Sequence, residues 1–203
     1  MTRTPWQAAG VTVEALTGDA IGPVVPDIAA LRIAVFRDFP YLYNGDLAYE
    51  RAYLAGLGTT PRAIVVIARA GGRVVGAATG APLADVEADW SVPFVAASLP
   101  VERRFHCAES VLLAEWRGLG IGHAFFDARE AHARALGMTA ACFCSVLRPE
   151  DHPARPRDYR GNESFWGRRG YRPLPGIVAG YSWRDVGQRK ETGKALQFWG
   201  RDL

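Results

Sequence analysis

The chain lacks the features that mark membrane, disulfide-stabilised and nucleic-acid-binding proteins. No segment approaches the roughly 18 consecutive apolar residues that a membrane-spanning helix needs. Only three cysteines occur, at 107, 142 and 144, without metal-site spacing, so we expect buried free thiols and no metal. The net charge is a mild +3, and the basic residues are dispersed. We therefore expect a cytoplasmic protein with neither a nucleic-acid nor a membrane partner.

What remains is a composition typical of one globular domain. At 203 residues and 49% hydrophobic, the chain is long enough for one substantial core and short for two. No internal repeat or low-complexity region interrupts it. We predict a single domain over residues 1–203.

The most informative stretch is a glycine-rich segment that runs into a helical pattern. Arg117, Gly118, Gly120 and Gly122 precede apolar residues at helical spacing, and Gly137 ends that pattern. Alternate glycines let a backbone approach a ligand closely, and the first turn of a helix offers unpaired N–H donors. The segment therefore predicts a loop that binds a phosphate or pyrophosphate.

The spacing separates three kinds of phosphate-binding loop. A nucleoside-triphosphate loop needs Lys and then Ser or Thr after its last Gly, where this chain has His123 and Ala124. The dinucleotide fingerprint needs a third Gly where His123 or Phe125 stands. The pattern Arg/Gln-x-x-Gly-x-Gly/Ala after a buried strand is matched in register by Arg117, Gly120 and Gly122.

On these residues the chain resembles the GNAT superfamily of acyl-CoA-dependent N-acyltransferases. The apolar run 109–114 ends just before Arg117, as in that family. Further on, the segment from Asn162 to Pro173 is similar to a second signature, a short helix begun by Asn and closed by Gly plus an aromatic residue.

The resemblance implies an α/β fold with a mixed central β-sheet of about seven strands, flanked by helices, whose central strands splay near Val111 and Phe143. The pattern along the chain agrees with that order of elements. We predict strands at Val11–Leu16, 63–70, 73–80, 109–114, 140–146, 177–183 and 195–200, and helices at 22–39, 46–57, 121–135 and 162–170. Residues 82–104, which are rich in proline, read as an insertion between the third and fourth strands that covers the acceptor site.

In the family, the splay admits the pantetheine arm of acetyl-CoA, the expected donor substrate. The arm hydrogen-bonds an unpaired strand edge, here the backbone of Leu112 and Leu113. The pyrophosphate reaches the N–H groups from Arg117 to Gly122, and the Arg117 guanidinium adds a charged bond. The implied cofactor-binding residues are Leu112, Leu113, Arg117, Gly118, Leu119, Gly120, Ile121, Gly122, Asn162 and Phe165.

Acyl transfer to an amine needs a base, a polarised carbonyl and a proton for the departing thiolate. The resemblance implies Glu109 as the base, acting directly or through water, although a carboxylate there could equally pair with Arg103 or Arg104. His106 and His152 are rival bases, because an imidazole titrates near neutrality. A strand N–H near Leu112 would polarise the carbonyl.

The proton donor is where the chain departs from the family. Many relatives have Tyr four residues before the Gly that closes the Asn162 helix, but this chain has Trp166. We predict Tyr159 as the donor, with Tyr171, Ser145 and Cys144 as alternatives.

The acceptor is expected to be a primary amine of a small molecule or peptide. Aromatic residues near 36–43 and arginines in 148–160 are the candidate walls of its site. A homodimer is compatible with the sequence. Two other functions stay open: a catalytically silent acyl-CoA-binding or sensor domain, which Trp166 favours, and an ATP-binding protein that uses the glycine loop.

Overall fold

The computed structural model describes residues 3–203 and consists of one eight-stranded mixed sheet with helices on both faces. The strands are β1 (Val11–Leu16), β2 (Ile64–Ala70), β3 (Arg73–Pro82), β4 (Arg104–His106), β5 (Ser110–Leu112), β6 (Ala140–Val146), β7 (Arg172–Trp183) and β8 (Thr192–Asp202). The helices are α1 (Pro5–Ala8), α2 (Val25–Phe36), α3 (Leu47–Thr59), α4 (Ala88–Ala96), α5 (Ile121–Ala135) and α6 (Glu163–Arg168). The predicted fold class is confirmed.

The sheet order is β1-β2-β3-β4-β6-β8-β7, and β5 also pairs with β3. Among the strands described, only β4 and β6 pair in parallel. β2 shows why the sheet is covered on both sides: Val66 and Ala68 pack into the cluster beneath α5, whereas Val65 and Ile67 pack beneath α2 and α3. Because successive side chains of a strand point to opposite faces, a nearly continuous apolar strand predicts burial on both.

β4 and β5 pair with the same partner strand but separate at their other edge. β4 pairs with β6 from Arg104–Ala140 to His106–Cys142, and the Cys107 N–H donates to the Cys142 carbonyl at 2.8 Å. Beyond that bond β6 continues to Val146 beside β8, while β5 follows β3. A gap therefore opens between β5 and the second half of β6, as the expected splay requires.

The segment between β3 and β4 contains a helix, α4, which was not expected because the segment is rich in proline. α4 includes Pro93, and Phe94 from this helix is fully buried against Phe198 at a ring-centroid distance of 4.8 Å. Anchored in this way, α4 covers the end of the sheet where β7 and β8 lie.

Candidate active site

The glycine loop presents a series of free backbone donors. Gly118 and Gly120 have φ of +79° and +87°, conformations that L side chains rarely adopt, and Gly120 is the N-cap of α5. Within residues 3–203, no backbone hydrogen bond uses the N–H groups of residues 118 to 122. Five consecutive N–H donors at the positive end of a four-turn helix fit an anion.

Arg117, at the start of the glycine loop, makes two hydrogen bonds within the protein. Its N–H donates to the Ala114 carbonyl, and its Nε donates to the Leu112 carbonyl at 3.2 Å. The side chain thus joins the loop to the end of β5. Only its terminal nitrogens are left for a ligand.

The free edge of β5 is formed by alternate residues. The N–H of Leu113 donates to the Val75 carbonyl of β3 at 3.0 Å, and the Glu109 carbonyl accepts from Thr79. In an antiparallel ladder the residues between such bonds face outward, so Ser110 and Leu112 present their backbone groups to the gap. Of the two residues expected to hold pantetheine, Leu112 therefore has a free N–H, although its carbonyl accepts from Arg117, whereas the Leu113 N–H is occupied within the sheet.

A cavity of about 420 Å³, here called the donor cavity, fills the gap between β5 and β6. It brings together seven of the expected site residues: Glu109, Leu112, Arg117, Gly122, Tyr159, Asn162 and Phe165. Phe165 is in direct contact with the loop, since a Cβ at Gly122 would lie 3.4 Å from its ring. The Asn162 side chain makes no capping bond to α6. Five other expected residues do not line the cavity: Leu113, Gly118, Leu119, Gly120 and Ile121, whose side chain is in the core.

A second cavity of about 520 Å³, the acceptor cavity, adjoins the donor cavity. Its walls come from α2, α3, α4, β7 and the loop after α2. Five residues line both cavities: Phe36, Tyr41, Ala108, Glu109 and Cys144. The arginine-rich segment contributes less than expected: Arg155 and Arg157 line neither cavity, and Arg148 binds Asp185 and the Pro40 and Tyr41 carbonyls.

Glu109 is the carboxylate at this junction. It is 9% exposed, and its Oε1 lies 2.7 Å from Nη1 of Arg32, without hydrogen-bond geometry. The Arg32 Nε donates to the fully buried Glu50 at 2.5 Å. Glu109 is therefore paired, as an ordinary buried carboxylate would be, but with Arg32 rather than with the neighbouring Arg103 or Arg104.

The two histidines proposed as rival bases have different surroundings. His106 lines the acceptor cavity, is 2% exposed and has no hydrogen-bond partner among residues 3–203 on either ring nitrogen. Burial, and to a lesser degree Arg129, lowers the pKa of His106 to about 4, so the ring is neutral at pH 7. His152 lines neither cavity and packs against Phe39 at a centroid distance of 5.7 Å.

The four candidate proton donors differ in the cavity they line and in their hydrogen-bond partners. Tyr159 lines the donor cavity, and burial raises the pKa of its hydroxyl. Ser145 lines it too, but accepts from Trp199 at 3.2 Å. Burial raises the pKa of the Cys144 thiol to about 12.

Tyr171 is fully buried, lines neither cavity and donates to Glu130. Trp166 packs on Trp199, with ring centroids 5.1 Å apart. Trp166 also lines the donor cavity, so a hydroxyl there must come from another position.

The sequence did not predict the rings of the acceptor cavity at 49, 53, 90, 181 and 183, or three charged residues beside Glu109. Arg32 and Glu50 are in unremarkable helical segments, and no short-range pattern pairs them with Glu109. Arg129, 1% exposed, donates from Nη1 to the carbonyls of Thr79 and Glu109 at 3.1 and 3.0 Å. It thereby fixes the backbone where β4 and β5 part.

Comparisons with known proteins agree with this architecture. The model of the acetyltransferase (GNAT) family matches residues 28–156, and the chain belongs to that family. No curated protein matches the chain in sequence.

Solved structures show the same fold. The ribosomal-protein-alanine N-acetyltransferase of Brucella melitensis has 15% identity and a TM-score of 0.61, with 95% of this chain and 99% of that chain covered. A GCN5-related N-acetyltransferase of Kribbella flavida has 18% identity and a TM-score of 0.57, with 96% and 98% covered. The yncA protein of Salmonella typhimurium, solved with its cofactor acetyl-CoA, has 12% identity and a TM-score of 0.59, with 96% and 94% covered. Within residues 3–203, no helix is long and apolar enough to cross a membrane.

Proposed function

We propose that this protein transfers an acetyl group from acetyl-CoA to a primary amine by direct attack in a ternary complex. The observation that carries the proposal is that two cavities, one reaching the glycine loop and one with aromatic walls, share Glu109. Two substrates that react with each other need such a junction.

The donor half rests on the free backbone groups. The pyrophosphate would accept from the N–H groups of residues 118 to 122, and pantetheine would extend the free edge of β5 at Ser110 and Leu112. Asn162 and Phe165 would flank the arm. The thioester would then lie beside Glu109.

In the chemical step, Glu109 takes a proton from the ammonium group, directly or through water, and the neutral amine attacks the thioester carbonyl carbon. The new C–N bond forms and the C–S bond breaks, so an acetamide and a thiolate result. The nitrogen loses its second proton to solvent, and the thiolate gains one from a donor such as Tyr159. An outward-facing strand N–H of β5 would stabilise the oxyanion.

Tyr41 is a second candidate for the proton donor. It lines both cavities, whereas Tyr159 lines only the donor cavity. Burial raises the pKa of Tyr41, so its hydroxyl is protonated at neutral pH.

The test is a comparison of ligand binding and thiol release. We expect acetyl-CoA, and not ATP, to raise the melting temperature, because only a ligand of the folded state does so. We expect coenzyme A to be released when primary amines are added. Binding of acetyl-CoA without turnover of any amine would instead favour a silent acyl-CoA-binding domain, and stabilisation by ATP alone would contradict the proposal.

A further inference from the structure

The walls of the acceptor cavity are aromatic rather than aliphatic. Phe, Tyr or Trp occupy eight lining positions, at 36, 41, 43, 49, 53, 90, 181 and 183, and only Ala108 and Leu196 are aliphatic. Trp90 and Tyr181 are nearly parallel, with centroids 5.6 Å apart, and Trp90 also contacts His106 at 5.4 Å. These rings come from separate elements that converge on one space. Such a surface favours a flat π system over an alkyl chain of equal size.

The inner end of the same cavity has an excess of negative charge. Glu50 and Glu109 share one cation, Arg32, which leaves a net charge of −1. The Arg32 guanidinium itself lies over Phe36 and Tyr53, 5.0 and 4.8 Å from their centroids. The inner end is thus built for positive charge and disfavours a carboxylate.

Unpartnered polar atoms occur at this end as well. Within residues 3–203, Oε1 of Glu50 and both ring nitrogens of His106 are buried without a hydrogen bond, and Oε1 of Glu109 has its ion pair with Arg32 but no hydrogen bond. Buried acceptors in this state cost stability, and an ammonium group, with three N–H donors, can satisfy some of them.

We propose that the acceptor substrate is a small aromatic primary amine that has no carboxylate beside its ammonium group. This inference rests on the proposed function and names its substrate class. The ring packs among Trp90, Tyr181 and Trp183, and the ammonium group binds Glu109, where the acetyl group is transferred. An α-amino acid or a peptide would place a carboxylate or peptide groups against Glu50 and Glu109.

The experiment compares four acceptors in a thiol-release assay with acetyl-CoA. They are 2-phenylethylamine, 2-cyclohexylethylamine, phenylalanine and a tetrapeptide that begins with alanine. The cyclohexyl amine keeps the size of 2-phenylethylamine without the π system, and phenylalanine adds an α-carboxylate. We expect kcat/KM for 2-phenylethylamine to exceed that of the cyclohexyl amine several-fold, and those of phenylalanine and the peptide at least ten-fold. Preference for phenylalanine or the peptide, or equal use of the cyclohexyl amine, would overturn the inference while leaving N-acetyltransfer intact.

A variant pair tests the aromatic wall itself. Trp90→Leu should lower kcat/KM for 2-phenylethylamine at least five-fold and leave the Kd for acetyl-CoA unchanged, because Trp90 lines only the acceptor cavity. Val92→Ala on the same helix, where Val92 is 57% exposed, is the matched control and should behave as the unmodified protein. Equal kcat/KM in the two variants would overturn the inference.

Calorimetry with 2-phenylethylamine and coenzyme A separates this inference from the function on which it rests. Binding of the amine without any turnover would overturn the proposed acetyl transfer and support the ligand class. Absence of binding would overturn the ligand class.

Discussion

The buried group formed by Glu50, Arg32 and Glu109 gives the sharpest prediction about stability. In Arg32→Met, two carboxylates that are 0% and 9% exposed lose their shared cation. Breaking a buried ion pair on one side typically costs about 3–5 kcal/mol, because an uncompensated charge stays behind. The methionine keeps much of the side-chain volume, so little of this loss would come from a cavity.

Neutralising one carboxylate should recover part of that loss. The double variant Arg32→Met, Glu50→Gln leaves only Glu109 unpaired, and we expect it to be about 1–2 kcal/mol more stable than Arg32→Met alone. Urea unfolding at pH 8, followed by tryptophan fluorescence, measures the free energy of unfolding of the unmodified protein, of Arg32→Met and of the double variant. Arg69→Met is the control, since Arg69 pairs with the half-exposed Glu14 and should cost at most about 1 kcal/mol. If Arg32→Met cost no more than this control, the three residues would not form the coupled buried group described above.

Three further predictions concern the loop, the proton donor and pH. Gly122→Asp should abolish acetyl-CoA binding in calorimetry without unfolding the protein, because it adds a negative charge, beside Phe165, to the loop proposed to bind the pyrophosphate. Unaltered binding would refute the pyrophosphate site. Tyr159→Phe and Tyr41→Phe should differ in kcat at saturating amine, the slower variant having lost the proton donor; an unchanged rate in both would exclude both hydroxyls. Because burial lowers the pKa of His106 from 6.5 to about 4, the unfolded chain binds the proton first as pH falls. Roughly 2–3 kcal/mol of unfolding free energy should therefore be lost between pH 7 and 4.5, and His106→Leu should show that much less dependence on pH in urea unfolding.

Local patterns predicted the elements that are regular over many residues. β1 and β6 have the bounds expected from their apolar runs, and Gly120 begins α5 where the glycine spacing indicated. The start of β7 was missed, because Pro173 and the register shift that follows interrupt the alternation until Val178. α4 was not predicted within the insertion 82–104 because of its prolines, although Pro93 lies within the helix.

The sequence predicts the donor half of the candidate site better than the acceptor half. The donor half is a contiguous motif, so its residues follow from spacing. The acceptor half depends on contacts between distant segments: Arg32 on α2 meets Glu109 before β5, and Trp90 on α4 stacks on Tyr181 of β7. No periodicity within one element records which of its neighbours it faces, and these pairings emerge only from the packed structure.

Glu109→Gln tests the central claim most directly. Glu109 links the two cavities, and general-base catalysis typically contributes 10²–10⁴-fold, so kcat for acetyl transfer from acetyl-CoA to 2-phenylethylamine should fall by at least about 100-fold. The Kd for acetyl-CoA should stay within about two-fold of the unmodified value, because the loop donors of residues 118 to 122 are untouched. A kcat that is unchanged in a folded Glu109→Gln protein would contradict the account.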